Sequence, residues 1–153
     1  MQKISRRELF KLVGAGVLAT TGISLLSTDA LANTPATDEY IGKISGGNSA
    51  KDAKITVELP QIAENGNTVP VKFSIDSPMT EADYVKTVHI LADKNPAPLV
   101  ATYNFSPLAG KAAVSTRMRL ARTQNVIVVA EMSDGTVNIA KKEVKVTIGG
   151  CGG

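Results

Sequence analysis

Val69-Pro70-Val71-Lys72-Phe73-Ser74-Ile75 alternates apolar and polar side chains without a break. A period of two puts Val69, Val71, Phe73 and Ile75 on one face of a strand and Pro70, Lys72 and Ser74 on the other. The same texture extends in both directions. Ile55, Val57 and Leu59 alternate with Thr56 and Glu58, and Glu64-Asn65-Gly66-Asn67 between the two runs is turn chemistry, because Asn and Gly tolerate positive φ. Further apolar runs cover 85–92, 99–105, 113–121, 125–132 and 137–148. They are separated by Asn95-Pro96-Ala97-Pro98, by 107–110 and by Ser133-Asp134-Gly135. About seven strands with turn signals between them predict an all-β fold, an immunoglobulin-like antiparallel β-sandwich over 55–148. One cysteine and no tryptophan mean that only the architecture of antibody domains is expected, not their core.

Upstream, the chain opens with a basic stretch, an uncharged apolar run from Leu12 to Leu26, and Ala30-Leu31-Ala32. These are the parts of a cleaved export signal over 1–32. The run is shorter than the roughly 20 residues that span a bilayer, which favours cleavage over an uncleaved anchor. Ser5-Arg6-Arg7-Glu8-Leu9-Phe10-Lys11 resembles a twin-arginine signal, with leucine and the aromatic residue exchanged. Cleavage after Ala32 leaves 121 of 153 residues, one domain's worth. It also removes Lys3, Arg6, Arg7 and Lys11 with Glu8 and Asp29, taking 17 basic and 14 acidic residues to 13 and 12, a net charge of +1. Nucleic acid is therefore not an expected partner, and without a further long apolar run no membrane association is expected after cleavage. The expected location is the periplasm. Residues 33–54 are polar and broken by Gly42, Gly46 and Gly47, with Thr37 before Asp38-Glu39 able to cap a short amphipathic helix bearing Tyr40, Ile41 and Ile44.

One strand looks outward for company. Val126-Ile127-Val128-Val129-Ala130 is apolar on both faces, and Val88-His89-Ile90-Leu91 nearly so, whereas an open sandwich sheet normally shows water a polar face. Either the N-terminal segment or a partner subunit must cover the second face.

Candidate chemistry is sparse. His89 is the sole histidine and sits within a strand, the setting of a sheet residue. One His and one Cys are too few for a structural zinc site, and there is no haem-attachment motif, phosphate-binding glycine loop or serine elbow, so no cofactor is expected. Arg117 and Arg119 share one strand face, which is either a solvated face or an anion-binding or docking surface; Arg122 follows them. Glu81 and Asp83 after Pro78 form an exposed turn.

That leaves Cys151, flanked by Gly149, Gly150, Gly152 and Gly153. Four of the ten glycines after residue 32 lie in these five positions, which predicts a flexible arm over 149–153. Extended, five residues reach roughly 15–18 Å, enough to carry a sulfur atom into another protein's cleft. An unpaired thiol in an oxidising compartment signals intermolecular pairing or deliberate reactivity. Three functions compete: a covalent carrier, a structural or adhesive module linked by a disulfide at Cys151, and a cysteine-dependent enzyme using His89.

The run from Val144 to Gly153, with Lys94-Asn95-Pro96-Ala97-Pro98-Leu99-Val100-Ala101 and Ser115-Thr116-Arg117, resembles the SoxY family, the sulfur carriers of bacterial thiosulfate oxidation. The resemblance implies a non-catalytic carrier that forms a heterodimer with a SoxZ-like subunit. It implies that Cys151 holds thiosulfate-derived sulfur and presents it to SoxXA, SoxB and, where that enzyme exists, SoxCD. Gly149, Gly150, Gly152 and Gly153 are then the swinging arm.

Overall fold

The computed structural model describes residues 34–46 and 54–150. The expected signal peptide, and Cys151, Gly152 and Gly153, lie outside the described residues.

Helix α1 (Pro35–Ser45) precedes eight strands. These are β1 (Ile55–Glu58), β2 (Ile62–Asn65), β3 (Val69–Ile75), β4 (Val85–Ala92), β5 (Leu99–Asn104), β6 (Ala112–Met118), β7 (Gln124–Met132) and β8 (Val137–Ile148). They form a sandwich of two sheets, one ordered β1-β3-β6 and the other β2-β8-β7-β4-β5. Seven of the strands fall on the predicted runs. The eighth, β2, occupies part of what reads as turn, and it pairs parallel to β8, so the sandwich is antiparallel except at this edge. Four residues with only Ala63 buried give no alternation to detect.

β3 shows why its sequence decides the fold. Its burial alternates with its composition: Val69, Val71, Phe73 and Ile75 are at most 3% exposed, and Pro70 and Lys72 face water. β1 runs only as far as opposite Lys72, so Pro70 has a strand neighbour on one side alone, the setting in which a sheet tolerates proline. Between the sheets these side chains meet Val85, Val88 and Ile90 of β4 and Val126, Val128 and Ala130 of β7. Phe73 and Tyr103 stack at a tilt, with ring centroids 5.8 Å apart. Each fully buried Val, Ile or Phe contributes about 1.5–3 kcal/mol relative to exposure.

The second face of β7 has its own cover. Ile127 and Val129, with Leu91 and Val137, form a smaller core on which Ile41 and Ile44 of α1 pack. The N-terminal segment is thus the covering element, and the doubly apolar strand is no argument for a partner subunit. The helix begins earlier than the sequence suggests. Pro35 occupies the first turn and Thr34 stands at the N-cap, its hydroxyl 2.8 Å from the Asp93 carbonyl oxygen, while Thr37 is buried inside the helix. Gly46 ends it in the left-handed conformation at φ 57°. Among the described residues no helix is long and apolar enough to cross a membrane.

Candidate functional site

The backbone approach to Cys151 is built from three segments. β8 ends at Ile148, whose carbonyl accepts the Gly66 amide at 2.7 Å. The Gly66 carbonyl accepts the Leu120 amide at 2.8 Å, and the Leu120 carbonyl accepts the Gly150 amide at 2.9 Å. The three segments pass so closely that a Cβ is excluded at each of the glycines. A Cβ on Gly66 would overlap the Leu120 carbonyl oxygen and stand 2.6 Å from the Gly150 nitrogen. One on Gly149 would overlap the Ala121 carbonyl oxygen, and one on Gly150 would stand 2.7 Å from the Gly66 oxygen.

This geometry revises one reading of glycine and adds to another. Gly66 is needed for close approach rather than for positive φ, and the Asx turn beside it is supplied by Asn65, whose Oδ1 accepts the Asn67 amide at 2.9 Å. Gly149 and Gly150, the first two residues of the expected flexible arm over 149–153, make close backbone approaches to Ala121 and Gly66, with Gly150 buried.

The middle segment of the clasp, 119–121, lies just beyond β6, where strand pairing has stopped. A buried polar cluster holds it. Asn95 Nδ2 donates to the Arg119 carbonyl at 3.0 Å, and Asn95 Oδ1 accepts from the Ala121 amide at 3.0 Å and from Gln124 Nε2 at 2.8 Å. Gln124 Oε1 in turn accepts the Lys94 amide, and Asp93 binds both the backbone amide and the carboxamide of Asn125. Asn95 and Gln124 are 7% and 1% exposed, so an unmatched group here would be costly. The apolar 113–121 run was expected to be one strand; its last three residues bond to this cluster and to Gly66 and Gly150 instead.

Beside the clasp lies an open groove of about 520 Å³. Asn67, Asn95, Leu99, Arg117, Met118 and Arg119 are among the residues that line it. The stretches 94–101 and 115–117, distant in sequence, therefore meet next to the residues that precede Cys151. A smaller groove on the outer face of the β1-β3-β6 sheet holds Glu58 and Lys72, which pair with each other at 3.8 Å.

A family model for the sulfur oxidation protein SoxY matches residues 41–151. The chain belongs to the SoxY family. Its structure is similar to that of the sulfur carrier protein SoxY from Chlorobium limicola f thiosulfatophilum, at 34% identity and a TM-score of 0.62, covering 74% of this chain and 97% of that one. It is also similar in fold to a superoxide reductase (neelaredoxin) from Ignicoccus hospitalis, at 17% identity and TM-score 0.55, covering 67% and 85%. A further fold neighbour is a putative superoxide reductase from Thermotoga maritima, at 16% identity and TM-score 0.52, covering 63% and 87%. No curated protein matches. Membership of the SoxY family supports a sulfur-carrier role in sulfur oxidation.

The likeness to superoxide reductases is one of fold. Among the described residues no three His, Cys, Asp or Glu side chains gather as metal ligands. His89 lies on the outer face of the larger sheet, its Nδ1 3.0 Å from Thr102 Oγ1 and its Nε2 3.0 Å from Glu131 Oε1. Both ring nitrogens are occupied by cross-strand neighbours, as the sheet-residue reading expects.

Gly66, Leu120 and Asn95 build this approach to Cys151, and none of them is assigned a site role by the sequence. Gly66 was read for its turn and Asn95 for its loop. Only Asn95 carried a signal, standing in the Lys94–Ala101 stretch that contributes to the resemblance.

Proposed function

We propose that the chain is a covalent carrier of sulfur intermediates in periplasmic thiosulfate oxidation, with Cys151 as the attachment point and no turnover of its own. The single observation that carries this reading is the SoxY match, which runs to Cys151 itself, the only thiol in the chain. The thiolate, not the thiol, is the reactive form. Its sulfur bonds to the outer sulfur of thiosulfate in a two-electron oxidation, the thiol proton is released, and the electrons pass to a haem enzyme of the SoxXA type. Water then attacks the terminal sulfonate in a SoxB-type hydrolysis. Sulfate departs and a cysteine persulfide remains, to be oxidised by a SoxCD-type enzyme or handed on. A SoxZ-like subunit is the stable partner. Residues 1–32 direct export by the twin-arginine route, and a SoxZ-like partner without a signal of its own travels with the folded chain.

The described structure supports a division of labour. Gly149 and Gly150 are held by close backbone approaches to Ala121, Leu120 and Gly66, which supports presentation of Cys151 from one place on the β-sandwich. The test is reconstitution with SoxZ-, SoxXA- and SoxB-type proteins. Cys151→Ser is expected to abolish thiosulfate consumption while leaving the circular dichroism spectrum and partner binding unchanged. Thiosulfate consumption by the isolated chain, or full activity of the variant, contradicts the reading.

A further inference from the structure

The groove beside the clasp has the composition of an anion site. Arg117 and Arg119 both line it and both are exposed, and neither has a carboxylate partner among the described residues. No Asp or Glu lines the groove. Two unneutralised guanidinium groups in one concavity raise its potential, and each offers a planar fork of donors that suits an oxyanion. Asn67, also exposed, lines the same groove. Leu99 and Met118 add apolar lining, which suits an oxyanion attached to a less polar sulfur atom.

The groove also adjoins the described backbone that leads to Cys151. The Gly150 amide is bonded to the carbonyl of Leu120, the residue after Arg119. The Asn67 nitrogen lies 3.1 Å from the place a Cβ on Gly150 would take. Covalent geometry sets the next Cα about 3.8 Å from that of Gly150, and an arginine side chain spans a further several ångströms.

We infer that this groove, lined by Arg117, Arg119 and Asn67, binds a sulfonate-type oxyanion of the thiosulfate class. Nearest at hand is the sulfonate on Cys151, and in that form the inference rests on the carrier reading. Free thiosulfate offers the same oxygen atoms, and the two sources separate experimentally.

The experiment uses the full folded chain, isotopically labelled, followed by amide and arginine side-chain nuclear magnetic resonance. In one arm Cys151→Ser protein is titrated with thiosulfate. In the other the native thiol is treated with tetrathionate: the thiolate attacks a central sulfur, the central S–S bond breaks, thiosulfate leaves, and a cysteine S-thiosulfonate remains. Both arms are repeated with Arg117→Gln/Arg119→Gln, which removes two exposed charges without touching the backbone bond from Asn95 to Arg119. Shifts centred on Asn67, Arg117 and Arg119 in the adduct alone identify the tethered sulfonate as ligand. Saturable shifts there with free thiosulfate, weakened about tenfold or more in the double variant, identify a free-anion site. Shifts absent from the groove in both arms, or unchanged by the double variant, overturn the inference. The carrier reading is judged separately, by whether Cys151 is needed for turnover, and the thiosulfate arm does not depend on it.

Discussion

The Gly150 amide donates to the Leu120 carbonyl at 2.9 Å, and through Leu120 the last described residue is bonded to Gly66 at the far side of the clasp. Gly149 and Gly150 therefore serve the fold before they serve any motion. Gly149→Ala would drive a Cβ into the Ala121 carbonyl, and Gly150→Ala one into Gly66. Each substitution is expected to cost about 1–3 kcal/mol, measured by urea unfolding, and to speed hydrogen exchange at the Leu120 amide. Unchanged stability and exchange would show that the clasp is not closed in solution.

A glycine without such neighbours should behave oppositely. Gly42 lies in α1 with nothing within 4 Å of a would-be Cβ. Gly42→Ala is expected to stabilise the protein by about 0.5–1 kcal/mol, through helix propensity alone. Thermal unfolding of the pair Gly42→Ala and Gly149→Ala, side by side, separates the two roles of glycine.

Asn95 is the support of the clasp. Asn95→Ala strands the Arg119 carbonyl and the Ala121 amide, both part-buried, and the buried Gln124 carboxamide. The expected loss is about 2–4 kcal/mol. Asn95→Asp keeps the acceptor for the Ala121 amide and Gln124 but loses the donor to Arg119, so it should fall between the wild type and Asn95→Ala in urea unfolding at neutral pH.

Removing the cover from β7 should expose its second face. Ile44→Asp places a charge against the small core of Leu91, Ile127, Val129 and Val137. We expect a loss of about 2 kcal/mol or more and increased binding of an apolar dye such as ANS. Wild-type stability and dye binding in that variant would mean that something other than α1 protects the face.

How much of this was legible follows from what kind of signal each element carries. β3 announces itself because one face is buried and composition tracks burial residue by residue, and β7 because it is a continuous apolar run buried on both faces. β2 is too short and too exposed for that, and its parallel pairing with β8 depends on a contact some 80 positions away. The clasp was hidden for a different reason. A glycine required for close approach looks in sequence the same as one required for flexibility, and only the positions of Leu120, Ala121 and Gly66 tell them apart. Cys151 stood out by being alone, and Arg117 and Arg119 by sharing a face; that Asn67 and Asn95 join the two arginines is a product of the fold.

One pH effect follows from the β7–β8 turn. Hydrogen bonds from the Thr136 hydroxyl and amide to the Asp134 carboxylate hold its pKa below the usual carboxylate range. A lowered folded-state pKa stabilises the fold above the unfolded pKa, near 4, and that contribution disappears as pH falls through the folded value. The stability difference between wild type and Asp134→Ala should accordingly shrink on acidification below about pH 4. A difference independent of pH down to acid would remove the carboxylate from the account.

The most direct measurement is intact mass spectrometry, without reductant, of the protein isolated from cells oxidising thiosulfate, beside Cys151→Ser and each before and after reduction. The carrier account predicts reductant-labile additions matching a thiosulfonate group or extra sulfur atoms, present in the native chain and absent from the variant. A native chain that is unmodified, or only disulfide-linked to another copy, would contradict it.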